Sequence, residues 1–184
     1  MTSHGGTVAV DGTFVIRSDA FDSSPESGDI NITARSLSLT NGGRILTGSS
    51  GEGVGGNLTV KASESVELIG TSPDGNILSL LSTSTGGNQR AGDLKIETRR
   101  LIVRDGAVIG ASTASPGQGG NLTVNASESV ELIGTAPNGF PSGLSTDTIS
   151  TGDAGNLIIN TRRLVARDGA AVSASTFSEG QGGS

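Results

Sequence analysis

The stretch GGNLTVNASESVELIGT occupies residues 119–135, and the same seventeen letters stand at 55–71 with one change, Lys61 in place of Asn125. A reaction centre uses one unrepeated cluster of groups, whereas a scaffold made by stacking one unit must reuse its spacing, so the period decides the fold. A second pair of phrases, AGDLKIETRRLIVRDGAVIGAST at 91–113 and AGNLIINTRRLVARDGAAVSAST at 154–176, is offset by 63 residues, while the opening phrase is offset by 64. A smaller period runs inside the large one. Gly, then Asn or Asp, then an apolar-x-apolar triplet recurs at Gly28, Gly56, Gly92, Gly120 and Gly155, with spacings of 28, 36, 28 and 35 residues. One short and one long turn make each large unit.

Within a turn, apolar residues alternate strictly: Leu58 and Val60, then Val66 and Leu68; Leu94 and Ile96, then Leu101, Val103, Ile109 and Ala111. Period two means strands. Three short strands per turn, separated by Gly or Asx corners and returning to the same phrase, describe an all-β coil whose strands stack in parallel on those of its neighbours. The expected fold is a parallel β-helix of about six coils, right-handed because parallel crossovers are overwhelmingly so. It would be roughly 29 Å long at the strand spacing of a sheet. Residues 1–184 form one solenoid, with 1–27 an irregular, partial first coil and repeat-bearing coils over 28–91, 92–154 and 155–184.

The inward columns read vertically. Strand one stacks Ile30, Leu58, Leu94, Leu122 and Leu157, flanked by Ile32, Val60, Ile96, Val124 and Ile159; strand two stacks Leu37, Val66, Leu101, Val130 and Leu164. Asp29, Asn57, Asp93, Asn121 and Asn156 form an Asx column at a corner, where the side chain is expected to bond its own backbone and the adjoining glycine to take positive φ. The next corner reads Arg35, Glu64, Arg99 with Arg100, Glu128, then Arg162 with Arg163. Identical coils would stack like charges about 4.8 Å apart, so alternation of sign explains a two-coil period.

Composition fits this reading. The chain of 184 residues has 30 glycines, four Phe, no Trp, no Tyr and no Cys, so small and β-branched side chains fill the interior and no disulfide or thiolate site exists. A formal net charge of −6 with dispersed Lys and Arg argues against nucleic acid and against an anionic membrane as partners. No apolar run approaches the length of a membrane span.

The phrases GGNLTV, ASESVELIGT, TRRLIVRDGA and SAST followed by a glycine-rich link resemble the long-repeat exoproteins of the filamentous-hemagglutinin type, exported by two-partner secretion and common in cyanobacteria. The resemblance covers about residues 28–183. It implies a right-handed β-helical fibre, secreted or on the outer cell surface, used in adhesion and aggregation without catalysis or cofactor. The opening Met-Thr-Ser-His-Gly is not a signal peptide. Export is therefore expected of a longer parent chain, from which this segment would be excised.

Candidate chemistry is sparse. His4 is the sole histidine, so no Ser/His/Asp triad can be assembled away from it. Glu64 and Glu128 are repeat-equivalent and flanked by arginine-bearing coils, which favours a structural ladder over a glycosidase pair. Asp22, Asp74, Asp147 and Asp153 are scattered, and GEGVGGN lacks the aspartate of a calcium-binding nonapeptide, so no metal site is expected. Outward positions of strand one, Asn31, Thr59, Lys95, Thr123 and Ile158, interrupt the threonine array of an ice-binding solenoid. Asn in the sequons at 31, 57, 121 and 125 serves the corner and strand phrases rather than glycan attachment.

Partner contact is expected at two insertions that follow strand two in the long coils, TSPDGN and TAPNGFPSG, through Pro73, Asp74, Asn76, Pro137, Asn138 and Phe140. Loops repeated on one edge suit multivalent capture of surface glycans or other cells. Ile69, Ile102, Ile133 and Val165 face outward beside strand two as an apolar strip. The leading reading is a structural and adhesive repeat segment. A polysaccharide-binding or polysaccharide-processing β-helix and a self-assembling, end-to-end fibre subunit are the alternatives.

Overall fold

The computed structural model describes residues 6–21 and 26–184; His4 and Asp22 lie outside the described residues. All regular structure among the described residues is strand. One sheet stacks β1 (Thr7–Asp11), β3 (Ile30–Thr40), β5 (Leu58–Ile69), β7 (Leu94–Arg104), β9 (Leu122–Ile133) and β11 (Leu157–Arg167) in that order. The other stacks β2 (Val15–Ala20), β4 (Arg44–Ser49), β6 (Leu80–Thr85), β8 (Val108–Thr113), β10 (Gly143–Ser145) and β12 (Ala171–Ser173). All these pairings are parallel, and each coil gives one strand to each sheet: a β-solenoid of six coils.

Each coil carries two named strands rather than three short ones. The first two expected segments run together, and the break between them survives as a register shift, between Ala34 and Ser36 in β3 against Ala62 and Ser65 in β5. The third and fifth coils hold one more residue there, so β5 and β9 have 12 residues and β3 and β7 have 11. An extra residue on one side bends the strand locally, as a bulge does. The stretch expected to be irregular also carries strands: Thr7–Asp11 pairs with Ser36–Thr40, and Val15–Ala20 with Arg44–Ser49.

The expected columns sit in register. Ile30, Leu58, Leu94, Leu122 and Leu157 are successive partners, as are Leu37, Val66, Leu101, Val130 and Leu164. Leu58, Val60, Leu94, Ile96, Leu122 and Val124 are buried between the sheets with Ile45, Leu81, Ile109 and Leu144. Burying each such side chain contributes about 1.5–3 kcal/mol.

At the first corner the Asx side chains bond the next coil rather than their own backbone. Asp29 Oδ1 accepts from Asn57 N at 2.7 Å, Asn57 Oδ1 from Asp93 N at 2.9 Å, Asp93 Oδ1 from Asn121 N at 2.8 Å, and Asn121 Oδ1 from Asn156 N at 3.0 Å. The backbone answers in the opposite sense, Leu58 N donating to Asp93 O and Leu94 N to Asn121 O. Both the donor and the acceptor of each corner are thereby satisfied by a neighbouring coil.

The glycines before these residues do not take positive φ. They are glycine because the coils nearly touch there. A Cβ on Gly92 would lie 2.0 Å from Gly56 O, one on Gly120 1.9 Å from Gly92 O, and one on Gly155 1.9 Å from Gly120 O. Carbonyls of this glycine column also receive buried hydroxyls: Thr47 of β4 donates to Gly56 O, Thr83 of β6 to Gly92 O, and Thr146, just after β10, to Gly155 O, at 2.6, 2.6 and 2.7 Å.

Gly120→Ala should therefore cost about 3 kcal/mol by forcing two coils apart. Gly86→Ala, whose Cβ would meet Ser50 Cα at an ordinary 3.4 Å, should stay within about 0.5 kcal/mol. Urea unfolding of the two variants checks the difference, and equal midpoints would contradict the packing account.

Candidate functional site

Two kinds of second corner alternate along the stack. In the even coils the chain turns through Asn41–Gly42, Asp105–Gly106 and Asp168–Gly169, with φ of 53° and 89°, 57° and 88°, and 57° and 86°. Two consecutive positive φ values define a type I′ turn, which Asn-Gly and Asp-Gly adopt most easily. In the third and fifth coils, counted from β1, the insertions replace it. Each is a small antiparallel finger, closed by a bridge between Thr71 and Leu78 in one and between Thr135 and Pro141 in the other.

The two fingers share one design. Gly75 N donates to Ser72 O and Gly139 N to Ala136 O, both at 2.8 Å, with φ of 75° and 84° at the two glycines. The first finger is one residue longer, which makes the large period 64 before it and 63 after it. At each base a buried serine ties the finger to the coil below: Ser79 Oγ accepts from Gly42 N at 3.1 Å and donates to Ile69 O at 2.9 Å. Ser142 does the same for Gly106 N and Ile133 O, at 2.8 and 2.9 Å. The fingers thus sit two coils apart, on the order of 9.6 Å along the stack, with Pro73, Asp74, Asn76, Pro137, Asn138 and Phe140 exposed.

Their tips differ in charge. Ser72 and Asn76 hydrogen-bond the Asp74 carboxylate, and these bonds, the serine's first, lower its pKa to about 2. Asn138 holds the equivalent place in the second finger, where its Oδ1 accepts from Phe140 N at 3.1 Å. The first finger is anionic at its tip and the second presents a half-exposed aromatic ring.

The expected charge stripe forms as separate pairs rather than a continuous ladder. Arg35 Nε lies 3.8 Å from Glu64 Oε1, and Arg99 Nε donates to Glu128 Oε1 at 2.9 Å, which holds the Glu128 carboxyl below its ordinary value. A second set sits on the outer face of strand one, where Glu97 takes Lys95 at 2.6 Å and Lys61 at 3.7 Å. All these groups are largely exposed and fix register more than they stabilise. The apolar strip is likewise interrupted: Ile69 stands between Thr40 and Arg104, and Ile102 between Glu67 and Glu131.

The second sheet carries on its outer face a feature that sequence reasoning missed. Asp19, Gly48, Ser84 and Ser112 are successive partners, and hydrogen bonding of Asp147 N to Ser112 Oγ at 3.2 Å extends the column. Beside it run Phe21, Ser50, Gly86, Ala114 and Ile149. In both columns the three middle members are small and the end members large. The result is an open trough of 560 Å³. Its floor belongs to coils two to four, and each end has one carboxylate and one apolar side chain. Arg17 pairs with Asp19, and Asp147 Oδ1 accepts from Ser173 Oγ at 2.5 Å and Ser175 N at 2.9 Å.

Asp19 and Asp147 lie four coils apart, on the order of 19 Å, well beyond the separation at which two carboxylates share one glycosidic bond. Among the described residues no group of three or more His, Cys, Asp or Glu is placed to hold a metal ion. Compared with family models, curated proteins and solved structures, the chain matches none.

Because Asp74 is held ionised, its share of stability is fully present above the ordinary carboxyl value of 3.8 and is lost as pH falls through about 2. An NMR titration should place its midpoint near 2. Ser72→Ala should raise that midpoint; a native midpoint at 3.8 would contradict the hydrogen-bonded finger.

Proposed function

We propose that the chain is a structural and adhesive segment of a fibrous protein of the filamentous-hemagglutinin type, secreted or held at the outer cell surface. One observation carries the reading: two fingers of one design stand on the same edge of a rod, two coils apart, each tied at its base by a buried serine. The stack supplies a stiff spacer whose polar groups are spent largely on joining coils. The fingers supply repeated contact points, and repetition turns weak single contacts into firm attachment. Surface glycans and other cells are the partners this reading expects. The resemblance of the repeated phrases to the exoprotein family supports the same role.

An end-to-end, self-assembling subunit is the second reading we propose. Leu164 and Val172 occupy core columns, yet in β11 and β12 they are 49% and 44% exposed. A further coil stacking here, from a second copy or from a longer parent chain, would bury them and pair two open strand edges. Sedimentation velocity between micromolar and millimolar protein should then reveal growing oligomers, whereas a single species at all concentrations would remove this reading.

Beads coated with the protein should adhere to bacterial cells and to one another at least about tenfold more than albumin-coated beads, while the soluble monomer binds weakly. Replacing 71–78 and 135–141 by the Asp-Gly turn of the even coils, with the buried Ser79 and Ser142 kept, should abolish adhesion without unfolding the stack. Equal adhesion of the two bead types would overturn the adhesive role.

A further inference from the structure

The trough on the second sheet is lined by no finger residue, although its end residue Asp147 also borders a small pocket with Phe140 and Pro141 of the second finger; it takes no part in the inter-coil ladders of the first corner. We propose that it binds one neutral, extended polysaccharide strand, of the β-1,4-linked hexopyranose kind, laid along the stack. The inference goes beyond the adhesive reading and does not depend on the fingers.

Shape comes first. The floor is straight because its residues are register partners in three consecutive coils, and it is low because those residues are Gly48, Ser84 and Ser112 beside Ser50, Gly86 and Ala114. Larger side chains stand only at the ends: Asp19 with Phe21, and Asp147 with Ile149. A volume of 560 Å³ falls within the span of small-molecule and oligomer sites, about 300–1,000 Å³. A β-1,4-linked hexopyranose chain is a straight ribbon with C–H-rich faces and hydroxyl-rich edges, so it fills such a trough without bending.

Chemistry then selects among extended polymers. Phe21 is 57% exposed and Ile149 65%; the negative face of a phenyl ring attracts the polarised C–H groups of a sugar ring, as it attracts the positive edge of another aromatic. The carboxylates can accept hydrogen bonds from sugar hydroxyls and the serine hydroxyls can both accept and donate them, those to a carboxylate being the stronger. A polypeptide is disfavoured because the backbone groups of β4, β6 and β8 are already paired on both sides, which leaves no edge for an added strand. Polyanions meet the Asp147 carboxylate and a chain of net charge −6, and the one cation lining the trough, Arg17, is already paired with Asp19.

Titration calorimetry of the whole chain with cellohexaose, mannohexaose and an alginate hexasaccharide tests the proposal. At least one neutral hexasaccharide should bind about tenfold or more tighter than the alginate. Ala114→Leu, which raises the floor from an exposed position, should weaken that binding at least about tenfold with an unchanged melting temperature, and Phe21→Ala should weaken it too. The variant with both fingers replaced should bind as the parent does, so that loss of adhesion and loss of glycan binding are read separately. The proposal is overturned if neither neutral sugar binds, if alginate binds equally well, if Ala114→Leu leaves affinity unchanged, or if replacing the fingers removes it.

Discussion

The structure depends on how closely successive coils approach at one corner. There a glycine carbonyl lies about where the Cβ of the next coil's residue would be, with distances from a hypothetical Cβ of 1.9–2.4 Å between Gly28 and Gly155. Only glycine permits that approach, and the approach brings the Asx side chain of one coil to the backbone N–H of the next. A column of glycines beside a column of Asn and Asp is therefore one device: the first removes the obstacle and the second bonds across it. Buried Thr47, Thr83 and Thr146 complete it by donating to carbonyls of the same glycine column, which joins the two sheets through the corner. A parallel stack has no hairpin to set its register, and a slip of one residue would turn the core columns outward. The corner prevents the slip.

The two-coil period follows from the other corners. An even coil turns through Asn-Gly or Asp-Gly, which leaves a glycine N–H directed along the stack; the odd coil above it supplies Ser79 or Ser142 to accept that proton. The odd coil also has one more residue at the bend of its long strand, and at that bend Glu64 or Glu128 faces an arginine of the even coil below. Three differences thus separate neighbouring coils, and two of them, the serine and the charge, are complementary across the interface with the even coil below. Nearest-neighbour complementarity of this kind is what stabilises a repeat array whose units could not bury a core alone.

Much of this was legible in the sequence because period two and a fixed offset determine which residues share a column: Leu58 over Leu94 needs nothing but counting. The fingers were legible for the same reason, as unequal spacings of 36 and 28 residues between repeats. Three features were not. Whether Asn57 bonds its own backbone or Asp93 depends on how near the coils come, which no spacing reports. The merging of two expected strands into β3 or β5 depends on how sharply Arg35 or Ser63–Glu64 bends the chain. The trough escaped notice because the third segment is written in Ser, Thr and Gly, as in LLSTSTGG, where inward Thr83 and Thr85 and outward Ser82 and Ser84 look alike in polarity. Only the register between coils reveals that Ser84 lies over Gly48 and under Ser112, and that large residues close both ends.

The fold, the fingers and the trough all rest on residues one coil apart being direct hydrogen-bonded neighbours. Trans-hydrogen-bond NMR couplings measure this without an intermediate. The account requires couplings from the amide nitrogens of Leu58, Leu94 and Leu122 to the carbonyl carbons of Asp93, Asn121 and Asn156. Couplings that instead joined adjacent segments of one turn in antiparallel order would contradict it.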